Sequence, residues 1–130
     1  MAIDWLEKEL QAGQRPSDEE LVRSTTEELE IFYNAYPRPR FDLCSAAAAL
    51  LGDVELWRKV ISAHSDRDYY HYKSQKRSGM DKSDLGAYPS FEVSIGHVDG
   101  DVNDLLKTIA PPLAEQIRAT IQRFKSLPTA

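Results

Sequence analysis

A single cysteine, Cys44, stands in 130 residues, so no internal disulfide can form and a cysteine-based metal cage is excluded. The longest uninterrupted apolar run is Ala46 to Leu51, far short of the roughly 20 residues that a membrane-spanning helix needs. Acids at Asp4, Glu7 and Glu9 stand where a secretory signal has positive charge followed by an apolar stretch, so no such signal is read. There is no phosphate-binding glycine loop and no Gly-x-Ser-x-Gly elbow. These absences lean the reading away from an enzyme and toward a cytoplasmic address.

What remains is an ordinary globular composition, 42% apolar and 28% charged, in a length that fits one domain over 1–130 with its own core. The net charge is −5, which argues against bulk attraction to nucleic acid or an anionic membrane. The charge is also uneven: residues 1–66 carry 7 Lys/Arg against 13 Asp/Glu, and residues 67–130 carry 9 against 8. A one-sided field steers an oppositely charged partner to one surface.

Ile3, Leu6 and Leu10 sit at helical spacing, with Asp4 and Glu7 as a capping pair and Gly13 as the stop. Ser17 can cap the amide of Glu20, which opens a second helix over about 18–35 that ends before Pro37 and Pro39. On its wheel Val22, Leu29, Tyr33 and Tyr36, flanked by Leu21, Thr25 and Phe32, form the expected core stripe. Asp42 and Gly52 bracket a third helix, and Asp53 caps a fourth whose Val54, Trp57, Val60, Ile61 and His64 share a face.

The stretch from Ala48 to Ile61, with Leu50-Leu51-Gly52-Asp53 at its turn, resembles the inner helix, turn and outer helix of one ankyrin repeat. No copy lies 33 residues upstream or downstream, and a stacked array needs several. The resemblance therefore implies a local packing solution and no ankyrin function.

From Asp66 to Tyr88 the periodicity fades, and residues 74–87 read as an exposed, mobile loop. Phe91, Val93 and Ile95 alternate with Ser90, Glu92 and Ser94, the period-two pattern of a strand, with residues 68–73 as its antiparallel partner. Two helices, about 102–109 and 112–126, follow on either side of Pro111-Pro112. The expected fold is mainly α with some β (α+β): a bundle of about five or six helices with a small antiparallel hairpin in the second half.

Three groups of residues can carry function. His64, Asp68 and His71, with His97 and Asp99, offer imidazole and carboxylate ligands for a divalent metal, as a binding protein or metal-dependent enzyme would need. The same residues suit a core histidine and helix ends. Asp99 to Asp104 opens like a calcium loop but lacks the glycine at the sixth position and the glutamate at the twelfth. Tyr70, Tyr72, Lys73, Lys76 and Arg77 interleave aromatics and bases as an RNA or anionic-ligand module does, against the acidic remainder of the chain.

The third group lies on the second helix, where Glu20, Arg23, Glu27, Glu30 and Asn34 surround Ile31 opposite the core stripe. An apolar centre with a charged rim is how protein interfaces are built. The leading expectation is a small acidic module that binds another protein, an inhibitor that neutralises a basic toxin or enzyme as bacterial immunity proteins and antitoxins do. It needs no cofactor.

Overall fold

The computed structural model describes residues 3–35, 38–77 and 91–128. Six helices make up the regular structure of these residues: α1 (Trp5–Gln11), α2 (Asp18–Ala35), α3 (Phe41–Leu51), α4 (Val54–Arg77), α5 (Phe91–Leu106) and α6 (Pro111–Ser126). Of residues 68–77 only the helical backbone is described.

The centre of the fold is α3. Its sequence, FDLCSAAAALL, is apolar on nearly every side, and Phe41 and Leu43 to Leu50 are all buried. A helix with no polar face has to be surrounded, and α3 packs against α2, α4, α5 and α6. The four alanines, Ala46 to Ala49, let those neighbours approach closely while Leu43 and Leu50 fill the spaces at the ends. Around it Leu6, Leu21, Phe32, Trp57, Ile61, Val98, Ile117 and Phe124 complete the core.

Two left-handed glycines set the turns. Gly52 (φ +68°) ends α3; the Asp53 N–H reaches the Ala48 carbonyl at 3.1 Å and the Gly52 N–H reaches that of Ala49 at 3.0 Å, a Schellman closure. Asp53 then caps α4 by accepting the Leu56 N–H at 3.0 Å, so the α3–α4 hairpin forms as its sequence implies. Gly13 (φ +77°) repeats the closure after α1 through Gln14 N–H to Glu9 O at 2.8 Å.

The expected β-hairpin is not there. Among the described residues there is no strand: residues 68–73 continue α4, and Phe91 to Ile95 open α5. The period-two pattern misled because Ser94, read as solvent-facing, is fully buried beside Val98, Val102, Leu105 and Leu106 on a helical stripe. The loop expected over 74–87 is corrected over 74–77, which belong to α4; residues 78–87 lie outside the described residues.

A second correction concerns α2. Leu21, Ser24, Thr25, Glu28 and Phe32 form its core side, whereas Val22 and Tyr33 are 44% and 46% exposed. The stripe is turned because a carboxylate, Glu28, takes a core position at 2% exposure; Tyr36 lies outside the described residues. Asp4 and Glu7 likewise do not cap α1, since both turn instead to Arg40. The helix placed at about 102–109 begins earlier, at Phe91, and Pro111 and Pro112 occupy the first turn of α6 as proline at a helix start should.

Candidate functional site

The surface of α2 is built by its first turn. The Glu20 N–H donates to Ser17 Oγ at 3.2 Å and the Ser17 hydroxyl donates to Glu20 Oε1 at 2.9 Å, fixing the helix start while Asp18, Glu19 and Glu20 complement its positive end. Rotation about that axis then sends Glu20, Arg23, Glu27, Glu30, Ile31 and Asn34 to solvent, Ile31 at 43% exposure. The six residues expected to meet a partner therefore share one exposed strip.

A further apolar line runs along the other flank of α2. Val22, Thr26, Leu29 and Tyr33 recur at spacings of four, three and four residues, the period that keeps side chains on one helical seam. Between Thr26, Leu29 and Tyr33 of this seam and Leu56, Lys59 and Ser62 of α4 lies a groove of about 380 Å³. Both helices lean on α3, and the Tyr33 hydroxyl donates to Asp66 Oδ2 at 2.7 Å across the gap. Sequence reasoning missed this groove because Tyr33 was assigned to the core. The four-three-four spacing was the available signal.

The histidine sites divide. His64 is buried at 4% exposure, its Nδ1 3.0 Å from Ser94 Oγ, which lies 2.7 Å from Ser65 Oγ. Its ring meets Phe41 edge-on at 5.1 Å and His97 at 5.5 Å. His64 thus joins α4 to α5 as a core histidine. His97 comes alongside it, but Asp99 points to a different neighbour and pairs with Lys125 of α6. Asp68 and His71 have side chains outside the described residues, and among the described residues no group of three or more His, Cys, Asp or Glu is disposed to hold a metal. Tyr70, Tyr72, Lys73, Lys76 and Arg77 fall on the last turns of α4, their side chains also outside the described residues.

A second hollow, about 420 Å³, opens where Glu7 and Gln11 of α1 face Asp42 of α3, Asp101 and Asp104 of α5, and Thr108 just beyond it. Arg40 dominates it. Its guanidinium binds Asp42 through Nε at 3.1 Å and Nη2 at 3.0 Å, Glu7 at 3.0 Å and Asp4 at 3.5 Å. The Asp42 hydrogen bond chiefly, with Glu7 adding and burial opposing, holds the guanidinium even more firmly in its charged form. Arg38 meets Asp101 at 3.6 Å. The arginines of this hollow are thus engaged by carboxylates, and its chemistry is that of a clasp between helices.

Cys44 sits fully buried on α3, and burial chiefly, with the charges of Glu28 and Asp42, pushes its thiol far above the ordinary range. A nucleophilic cysteine needs the opposite environment. No helix of the described residues is long and apolar enough to cross a membrane.

Neither the family models, the curated proteins nor the solved structures give a match to this chain. The fold and its surface must therefore carry the functional reading directly.

Proposed function

We propose that this protein is a protein-binding module whose contact surface is the outer side of α2, and that it acts in the cytoplasm by neutralising a basic partner in the manner of an immunity protein or antitoxin. One observation carries the reading. Of the five large apolar side chains that stand well exposed among the described residues, three lie on α2: Val22, Ile31 and Tyr33. Ile31 stands on the exposed strip and Val22 and Tyr33 on the opposite flank of the same helix, among five exposed carboxylates, Asp18, Glu19, Glu20, Glu27 and Glu30, with Arg23 as the one base of that helix. Apolar anchors within a field of one sign favour a partner of the opposite sign, since the field speeds encounter and the anchors hold the complex. The lone buried thiol accords with a reducing compartment.

The test is affinity enrichment on wild-type and Ile31→Arg columns, from the native host at moderate salt, with quantitative mass spectrometry. A basic protein retained stoichiometrically by wild type and lost from the Ile31→Arg column, with the variant's circular dichroism unchanged, upholds the reading. Identical profiles on the two columns overturn it for this face.

A further inference from the structure

We infer that the groove between α2 and α4 is a seat for an amphipathic helix of the partner, its apolar stripe laid on Thr26, Leu29 and Leu56 and its basic edge turned toward α2. The inference rests on the protein-binding reading and adds to it the form of the bound element.

Three observations converge. First, the seam on α2 has the four-three-four spacing by which one helix presents knobs to another. It borders the side of α2 already used in the core, where Leu21, Thr25, Glu28 and Phe32 are buried, and shares Leu29 with it. Val22 at 44% exposure and Leu29 at 9% give that seam a raised end and a deep middle. Second, the space beside it is concave: about 380 Å³, with Leu29 and Leu56 as apolar lining and Thr26 and Ser62 as small polar edges. That volume accommodates a few anchoring side chains, the amount a helix inserts at i, i+3 or i+4, and i+7 when it docks in a groove. Third, the two rims differ in charge. The α2 rim offers Glu30, whereas the α4 rim offers Lys59 beside the Arg58–Glu55 pair at 2.8 Å. A docked helix is therefore oriented by lysines or arginines toward α2, and its other edge needs no positive charge.

An extended strand would fit less well. It gains affinity by pairing with an open sheet edge, and the described residues contain no strand.

The experiment uses the full chain and a synthetic amphipathic peptide of about 18 residues, or five helical turns. The peptide carries leucines at heptad a and d positions, lysines on one edge and glutamines on the other. Two controls accompany it, one with the same composition scrambled to destroy the stripe and one with glutamate in place of lysine. Amide shifts in two-dimensional NMR are followed during titration. Saturable changes centred on Thr26, Leu29, Leu56 and Lys59 are expected, with affinity about tenfold weaker for either control and for Thr26→Arg, which fills the groove from an exposed position. Shifts that map elsewhere, or a scrambled peptide that binds equally, overturn the inference. So does sedimentation showing that a second copy of the chain occupies the groove, as a dimer that Thr26→Arg dissociates.

Failure here is distinguishable from failure of the broader reading. A native partner lost from an Ile31→Arg column and retained on a Thr26→Arg column upholds protein binding and overturns the groove as its seat.

Discussion

The carboxylate of Glu28 accepts the backbone N–H of Arg40 at 2.9 Å, tying a fully buried side chain of α2 to the residue that immediately precedes α3. The contact does two things at once. It satisfies a donor at the N-terminus of the central helix, where backbone N–H groups have no partner within the helix. It also places negative charge at the positive end of α3. The other oxygen, Oε1, has no hydrogen-bond partner among the described residues, and neither has buried Thr25 Oγ1 on the same side of α2.

Glu28→Ala should destabilise the protein by about 2–4 kcal/mol, because it leaves a cavity and an unsatisfied Arg40 N–H together. Glu28→Gln keeps the acceptor and removes the buried charge, so it should stay within about 1 kcal/mol of wild type. Urea unfolding curves of the three proteins check the ordering. An alanine variant as stable as wild type would remove Glu28 from the list of residues that hold α2 to α3.

Arg40 itself links α1 to α3 through Asp4, Glu7 and Asp42. Its side chain is one-third exposed, so solvent screening limits its worth, and Arg40→Ala should cost about 1–2 kcal/mol. Arg40→Lys should recover less than half of that loss, since an ammonium lacks the planar fork that meets Asp42 with two nitrogens. Equilibrium unfolding at low and at 1 M salt would show the wild-type advantage reduced but not abolished in high salt.

Gly96 and Gly100 lie one turn apart within α5, both exposed, with open space where a Cβ would be placed. Each glycine loses more backbone entropy on folding than alanine does. Gly96→Ala and Gly100→Ala should each add about 0.5–1 kcal/mol, seen as a rise in melting temperature. A fall in both would show that this stretch of α5 needs glycine for a reason other than helix formation.

The buried Cys44 thiol makes a prediction about pH. Its ionisation is pushed up in the folded state, by burial first and by Glu28 and Asp42 next. The thiol contributes stability that is present below the unfolded-state value, about 8.5, and is lost as pH rises beyond it, because only the unfolded chain then gains by losing the proton. Native protein should react with a thiol reagent only as fast as it unfolds. Cys44→Ala should flatten the alkaline decline in stability, at the cost of a small cavity.

Much of the helical framework was legible in the sequence. Gly13, Gly52 and Asp53 act as stops and starts because their local chemistry suffices, and Pro111 sits where a missing N–H does no harm. Trp57, Val60, Ile61 and His64 announced the inner side of α4. Where polar residues face the core, the reading turned: Glu28 shifted the face assigned to α2, and Ser94 made the start of α5 look like a strand.

Glu28 also explains the state of the candidate site, since the turn it gives α2 sets which residues face out. The strip around Ile31 could be read because its charged surroundings need only a helical wheel and water. The groove could not, because its existence depends on how α2 and α4 stand beside α3, and on Tyr33 being outside rather than inside. The sequence by itself determined the Ser17 and Asp53 caps and the turns at Gly13 and Gly52, all set by interactions within a few residues along the chain, together with the uneven charge. Only the tertiary structure decided which side of each helix is buried where a polar group found its partner on another helix. Glu28 bonded to Arg40, and Ser94 in contact with His64, satisfy in three dimensions a hydrogen-bonding demand that their own sequence neighbours would have left to water.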